Sequence, residues 1–483
     1  MATTIIQRPA YNIVPIGSEL IFIAQNDLLV ANNTQVKFIA EVFISSTTTP
    51  DMSLPDDEIG VFKTTPNNAG VGIFDLSSVV ENYISSDNIA FSNSQYKDEI
   101  QTDESIVPIH LIDKYSMNKN SFKWLSIKFK VEYLDTSVTP NILITREPVS
   151  SLVYQVFNGY LKENTDELFR ISGNYGYPMT KFTFSGLFGV GRQFLTNAPT
   201  TQYANIGDYG TIGLLLNNPI SKSGGPAGAS NPTSIGVKIV YYDDTDHPIA
   251  SDALPHNVLN GAISYANGNV FSRMLFLGIF PGNLVQWSTN FQTLQTSISY
   301  YKFYVYMSNQ GTAGTKTYRI NINCPTLKGY KPVRLAWLNQ WGTWDYYTFT
   351  MKSSVSISTK KTKYEQLQGT WNKESYRVLG YKGGQKTFRV NATERIKMNT
   401  DFLSESESEW FEELINSPEV YILEGWQKWA YSPTSKVKAA LNQYVTPVVL
   451  KTSSWKKKTK ANDKLIQYTF EVEKSKLLKT QAI

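Results

Sequence analysis

Cysteine and histidine are nearly absent from this chain of 483 residues, which contains one cysteine, Cys324, and three histidines. A single cysteine excludes an intrachain disulfide and any CxxC metal or redox motif. Because His110, His247 and His256 form neither an HExxH nor an HxH arrangement, a zinc hydrolase has little support. We expect Cys324 to pack as a small apolar residue, and these residue types supply no catalytic, cofactor-binding or metal-ligating candidate.

Long apolar runs are also missing, since no hydrophobic stretch of the sequence is long enough to span a bilayer. The opening residues, MATTIIQRPAYN, lack the basic region, apolar segment and small-residue cleavage site of a secretory signal. We therefore expect a soluble protein that is made in a cytoplasm and has no membrane partner.

Aromatic residues are abundant by contrast, at 13% of the chain, with 29 tyrosines, 24 phenylalanines and 10 tryptophans. Such side chains favour half-buried strands and protein interfaces over helix interiors. The remaining composition, with 41% hydrophobic and 18% charged residues, is typical of globular proteins. The composition predicts a folded, β-rich chain.

Alternating hydrophobicity predicts strands in each third of the chain, because a strand with one buried face repeats every two residues. The pattern is clearest at 125–133, 235–241 and 466–472, and more continuous apolar runs at 36–44, 299–307 and 317–322 indicate further strands. Helical segments between these strands are too scarce to supply parallel crossovers. We expect a mainly β protein with several sandwich-like or barrel-like domains in series and a few short helices.

Two short helices are predicted from caps and apolar stripes. Asp75 can cap a segment in which the apolar residues of 76–84 recur at helical spacing. Ser404 and Glu407 form a capping box for a helix over 404–416 that ends before Pro418. We expect both helices to cover β cores.

Domain boundaries are predicted near residues 148 and 326. The first follows Arg146-Glu147-Pro148, and the second follows Cys324-Pro325 before an aromatic-rich block. The resulting domains are an N-terminal β-sandwich with one helix (1–148), a middle β domain with a flexible Gly/Ser-rich loop at 221–233 (149–326), and a basic C-terminal β domain with the helix at 404–416 (327–483).

Charge is unevenly divided between the two ends of the chain. Beyond Leu327 there are 26 Lys or Arg and 15 Asp or Glu, a net charge of +11, whereas the preceding residues carry a net charge of −6. Such a bipolar chain suits head-to-tail contacts between copies, and it also suits an end that faces nucleic acid.

Two segments resemble small-ligand sites. Tyr241 to His247 gathers three aspartates and an imidazole, which could hold a hard cation or, with less support, act as an acid/base pair. Aspartates at this point also favour a polar turn that closes the strand 235–241, and the turn is the favoured interpretation. Gly186, Gly189 and Gly191 fit neither GxxxxGK[ST] nor GxGxxG, so a glycine-rich bend is favoured over a phosphate loop. We assign no cofactor to either segment.

Two lysine runs, at 360–363 and 456–460, are the densest basic stretches. Both lie beside predicted strands in a turn-like context, where exposed lysines keep a sheet edge soluble. We expect them to be solvated loops or contacts for an acidic protein partner, while passive contact with DNA stays open.

The segment VRLAWLNQWGTWDYYTF, residues 333–349, is the most distinctive in the chain. It predicts a strand, a turn at Asn339–Gly342 and a second strand, with enough aromatics to form a packed wall. The segment also resembles virion structural proteins of tailed phages that infect Bacteroidota, including the crAss-like phages. Further resemblances lie at residues 72–76, 80–83, 157–159, 194–199, 399–401, 417–421 and 462–468.

The resemblance implies a non-catalytic neck or tail component, a ring subunit that stacks between the portal and the distal tail. Its partners would be copies of itself in a closed ring and neighbouring portal, neck or tail proteins, and its location would be the virion after synthesis in the bacterial host cytoplasm. No catalytic residues come with the resemblance.

Two other functions stay open at this stage. A receptor- or glycan-binding tail or baseplate protein could use the aromatics of 337–347 or 426–431 as stacking platforms. An enzyme acting on cell wall or polysaccharide has less support, because the sequence offers no acid, base or metal constellation.

Overall fold

The fold is mainly β, as predicted, with several multi-stranded sheets in series and short helices among the described residues. The computed structural model describes residues 2–9, 12–46, 50, 52, 57–86, 89–90, 107–112, 115–117, 120–137, 139–160, 169–171, 174–176, 179–184, 191–220, 235–255, 272–307, 313–323, 329–423, 445–454, 456 and 466–475. None of the helices in these ranges has the length and apolar composition needed to cross a bilayer.

These residues form two compact units. The described residues of Met1–Asn323, together with Leu338–Asp345, form unit 1. Those of Cys324–Trp337 and from Tyr346 onward form unit 2. The division between Asn323 and Cys324 lies close to the boundary predicted at 326.

Unit 1 contains most of the strands. They are β1 Thr4–Gln7, β2 Ile13–Pro15, β3 Ile21–Gln25, β4 Thr34–Ser45, β5 Glu58–Thr64, β6 Val71–Asp75, β7 Ile89–Ala90, β8 Val107–Pro108, β9 Tyr115–Met117, β10 Phe122–Asp135, β11 Ile142–Ser150, β12 Tyr154–Phe157, β13 Phe169–Ile171, β14 Asn174–Gly176, β15 Thr183–Phe184, β16 Thr201–Ala204, β17 Thr211–Ile220, β18 Ile235–Tyr242, β19 Pro248–Pro255, β20 Ser272–Gly278, β21 Tyr300–Met307 and β22 Tyr318–Ile322.

Four sheets of unit 1 have three or more strands. Their orders are β1-β3-β6, β2-β12-β10-β4-β5 with β11 beside β10, β15-β17-β20-β9, and β16-β22-β21-β18-β19. The first core lies where inward side chains of β4 and β10, such as Phe38, Ile127 and Phe129, are fully buried against Phe22 and Tyr154. The apolar residues of the alternating pattern that predicted β10 are therefore the ones on the face that packs into this core.

Unit 2 is built around one seven-stranded sheet with the order β24-β23-β27-β28-β29-β26-β25. Leu338–Asp345, at the turn of the β23–β24 hairpin, groups with unit 1. The strands are β23 Val333–Leu338, β24 Trp344–Phe349, β25 Ser353–Gln366, β26 Gly384–Asn399, β27 Val420–Leu423, β28 Val445–Leu450 and β29 Thr469–Lys474.

A helix is present at both predicted positions, although the N-cap residue of the first is Leu76 and not Asp75. The α-helices are α1 Asp27–Asn32, α2 Ser77–Val80, α3 Pro281–Trp287, α4 Thr289–Leu294 and α5 Glu405–Asn416, and 3-10 turns lie at Glu81–Tyr83, Ile109–Leu111 and Met179–Lys181. The capping box of α5 is formed as predicted, because the Ser404 side chain accepts from the Glu407 amide while the Glu407 carboxylate accepts from the Ser404 amide. Helix α2 is shorter than the pattern of 76–84 indicated: it continues as a 3-10 turn, and Tyr83 is exposed.

The boundary predicted at 148 falls inside strand β11. The pairing register of β10 with β11 shifts between Phe129 and Val131, which face Val149 and Arg146, so Pro148 lies at a β-bulge. Proline has no amide hydrogen to donate and is tolerated at a bulge. Its presence is therefore compatible with a continuous strand. The loop predicted at 221–233 lies outside the described residues.

Candidate interaction surface

The tryptophans of the 333–349 segment are interior residues. The predicted strand, turn and strand are present as β23, residues 339–342 and β24, and Trp337, Trp341 and Trp344 are all buried. In unit 2, Trp337 packs against Trp410 of α5 with ring centroids 5.0 Å apart. These tryptophans cannot serve as exposed stacking platforms, so that interpretation of them was wrong. The other suggested platform, 426–431, lies outside the described residues.

The turn Leu338–Asp345 is held within unit 1 by a buried polar network. The Asn339 amide nitrogen donates to the Leu195 carbonyl at 2.9 Å and to Asp345 Oδ1 at 3.0 Å. Its side-chain oxygen accepts from the backbone amides of Trp341 and Thr343. Two of the segments that carry the phage resemblance, 194–199 and 333–349, therefore meet at this turn.

The segment 241–247 is a turn, as favoured from the sequence. It closes the β18–β19 hairpin, with Asp243 accepting hydrogen bonds from the amides of Thr245 and His247. These hydrogen bonds hold the pKa of Asp243 below its usual value, and the one donated by the His247 amide has the largest effect. No cluster of three potential metal ligands occurs among the residues that the structure describes.

Several of the other residues considered as possible site residues lie outside the residues that the structure describes. Cys324, His256, Gly186 and Gly189 lie outside the described residues, and Gly191 adopts a φ of +81° in an open position. Strand β15 covers only Thr183–Phe184 before the glycine-rich segment. Of the three glycines, the structure therefore describes Gly191 alone, and the phosphate-loop alternative stays untested at the other two.

A long hairpin of unit 2, residues 353–399, stands out as the candidate interaction surface, and we call it the arm. Strands β25 and β26 pair over their whole length, from Ser353 with Met398 to Gln366 with Gly384. Strand β26 pairs with β29 only through Arg395–Asn399. Beyond that point the arm is a two-stranded ribbon, which at 3.3 Å per residue is roughly 35 Å long.

Large apolar side chains are exposed along the arm. Of the 21 exposed large hydrophobics among the described residues, nine lie in this stretch, which is roughly an eighth of the described residues. The nine are Val355, Ile357, Tyr364, Leu367, Trp371, Tyr376, Val378, Tyr381 and Phe388. Such a concentration makes the arm the candidate interaction surface, because exposed apolar side chains on a monomer are usually scattered.

The tip of the arm is ordered by its own contacts. The Thr370 amide donates to the Arg377 carbonyl at 3.1 Å, and the Arg377 amide donates back to the Thr370 hydroxyl at 2.8 Å. Trp371 packs edge-on against Tyr376 with ring centroids 5.5 Å apart, yet its side chain is 64% exposed. The tip therefore presents aromatic surface from a fixed turn.

The arm is also strongly basic, with ten Lys or Arg and three Asp or Glu, a net charge of +7. Lys360, Lys361 and Lys363 lie inside β25, so the turn-like context expected for them was wrong. A ribbon with solvent on both faces needs no apolar alternation, and the sequence therefore carried no strand signal there. Of the second lysine run, only Lys456 is described.

Comparisons with known proteins leave the family open. No family model matches the sequence, and no curated protein matches it. The native conformation of E. coli alpha-2-macroglobulin aligns over 82% of this chain and 21% of that chain, at 9% identity and a TM-score of 0.16. Trypsin-activated alpha-2-macroglobulin from Escherichia coli aligns over 82% of this chain and 40% of that chain, at 8% identity and a TM-score of 0.12. Scores this low do not establish a shared fold.

Proposed function

We propose that this chain is a non-catalytic structural subunit of a tailed-phage virion that forms a closed ring in the neck or tail, between portal and tail. The arm is the observation that carries the proposal. An isolated two-stranded ribbon is only marginally stable in water. A long ribbon with exposed aromatics therefore favours a role in which another protein covers it.

The charges support a second copy of this chain as the occupant. Residues 1–323 carry 20 Lys or Arg and 26 Asp or Glu, a net charge of −6, opposite in sign to the arm. A ring of identical subunits requires one surface to meet a different surface on the next copy. Complementary charges of this kind mainly set the encounter rate and the register of such contacts.

The aromatics at the tip of the arm would supply the affinity of that contact. Tryptophan, tyrosine and arginine are the residue types that dominate interface energetics, and the tip contains Trp371, Tyr376 and Arg377 together. Neighbouring portal, neck or tail proteins would meet the remaining surfaces, and DNA would pass with at most passive contact.

Electron microscopy of a virion that contains the protein tests its location within the particle. The proposal expects density for a closed ring of this subunit between the portal and the distal tail, with an arm in each subunit reaching its neighbour. Density at the distal tip, with the arm pointing into solvent, would contradict the ring and favour a receptor-binding tail protein.

A further inference from the structure

An open cleft of about 490 Å³ lies in unit 1 on one face of the sheet β16-β22-β21-β18-β19. Four adjacent strands contribute side chains to it. The lining residues are Thr200, Thr201, Val240, Tyr242, Lys302, Tyr304, Thr317 and Arg319.

Two cations lie side by side in the lining of this cleft. Arg319 of β22 is the direct cross-strand partner of Lys302 on β21. Like charges directly opposite one another destabilise a sheet. No carboxylate lines the cleft, and the Lys302 ammonium lies over the rings of Tyr242 and Tyr300, at 5.0 Å and 5.8 Å from their centroids. An anion bound between the two side chains would remove the repulsion that these ring contacts leave.

The Arg319 side chain is held in place by an aromatic contact and by a hydrogen bond. Its guanidinium carbon lies 3.5 Å from the ring centroid of Tyr300, and its Nε donates to Asn321 Oδ1 at 2.7 Å. The other face of Tyr300 stacks on Tyr242 at 4.8 Å, nearly parallel. A guanidinium whose position is fixed before binding loses little conformational entropy when it binds a ligand.

The remaining lining residues indicate which kind of molecule bears the anionic group. Three threonines add hydroxyl groups to the lining, namely Thr200, Thr201 and Thr317, and Thr201 of β16 is the cross-strand partner of Arg319. An aromatic ring comes from Tyr304, which lies on β21 as Lys302 does. The volume lies within the usual range for organic ligands, whereas a lone inorganic ion needs far less space. Hydroxyl partners, an aromatic surface and a cation pair together suit a sugar ring that bears a carboxylate.

We propose that this cleft binds an acidic saccharide, a uronic-acid unit of a polysaccharide chain, with its carboxylate between Lys302 and Arg319. A nucleic-acid strand is less suited, because tracking a backbone requires a succession of cations and stacked bases along a groove. The cleft has one cation pair. This binding function does not depend on ring formation.

Isothermal titration calorimetry of the full chain with a uronic-acid tetrasaccharide tests the proposal, with a neutral tetrasaccharide of the same linkage alongside. Arg319→Gln and Lys302→Gln should each weaken binding of the acidic ligand about tenfold or more, the loss expected for one charge-assisted hydrogen bond. Lys37→Gln, an equal charge change at an exposed position of strand β4 in the same unit, should leave the affinity unchanged. Thermal unfolding of all three variants checks that the fold persists, and Lys302→Gln leaves the Arg319–Tyr300 contact in place.

Four results would overturn the proposal: no binding of the acidic tetrasaccharide, equal binding of the neutral one, equal effects of Lys37→Gln and Arg319→Gln, or tighter binding of an oligothymidylate at the same cations. Displacement of the saccharide by equimolar inorganic phosphate would show a general oxyanion site and would also contradict it.

Discussion

The hydroxyl of Thr196 donates a 2.6 Å hydrogen bond to Asp345, a residue that lies 149 positions later in the chain. The same carboxylate oxygen accepts from Asn339, and all three side chains are buried. A buried carboxylate is stable only when its oxygens are hydrogen-bonded. This pair therefore fixes the turn Leu338–Asp345 in unit 1.

Asn339→Ala should destabilise unit 1 by about 3 kcal/mol, since it leaves the buried amides of Trp341 and Thr343 without their acceptor. Chemical denaturation followed by tryptophan fluorescence measures the change. Asn82→Ala is the control, because that exposed side chain donates one hydrogen bond within its own helical turn. Equal effects of the two substitutions would contradict a structural role for the network.

Gly342→Ala should be more destabilising than Gly191→Ala, although both glycines have positive φ, at +72° and +81°. A Cβ at Gly342 would lie 1.8 Å from the Asn158 carbonyl oxygen, whereas a Cβ at Gly191 would meet no atom within 4 Å. The left-handed conformation alone accounts for about 1–2 kcal/mol in each variant. Thermal unfolding should separate them, and similar midpoints would show that the turn can move away from Asn158.

Acid should destabilise unit 2 through Glu473. Hydrogen bonding by Arg395 at 2.7 Å, with Lys451 at 3.2 Å, holds the pKa of Glu473 below its usual value. Because the folded pKa is depressed, this stabilisation is present above the unfolded pKa and is lost as pH falls through the folded pKa. Glu473→Gln should therefore flatten the loss of unfolding free energy on acidification below about pH 4. Glu374→Gln, in the exposed tip of the arm, should keep the wild-type slope. An unchanged slope in Glu473→Gln would contradict the role of this ion pair.

Trp371→Ala combined with Tyr381→Ala should reduce assembly while leaving the free energy of unfolding within about 0.5 kcal/mol of wild type, because substitutions at exposed positions rarely affect stability. The two side chains are 64% and 73% exposed. Tyr203→Ala, which removes a side chain that is 61% exposed in unit 1, is the matched control for assembly. Sedimentation velocity distinguishes the variants, and equal assembly of all three proteins would remove the tip from the interface.

Local patterns predicted the parts of the fold that depend on local physics. The alternation of 125–133 identified β10 because one face of that strand is buried, and Ser404 with Glu407 identified the start of α5 because the capping box spans only four residues. The sequence did not predict the arm, because strand β25 is exposed on both faces over nearly its whole length and lysines and threonines there replace the usual alternation. The cleft could not be predicted either, since Lys302 and Arg319 become neighbours only through the pairing register of β21 with β22.

The central claim is that the arm joins copies of this chain into a closed ring, and light scattering of the purified protein tests it most directly. Wild-type protein alone should give a single assembly whose mass is at least two whole multiples of 54.5 kDa, and in mixtures with neighbouring virion proteins the same number of copies should be present beside the added partner mass. A variant with Lys360, Lys361 and Lys363 changed to Glu should assemble less, with the defect depending on salt, because exposed charge contacts are screened. A strict monomer in every mixture, or a ring that forms equally well from the charge-reversed variant, would contradict the claim.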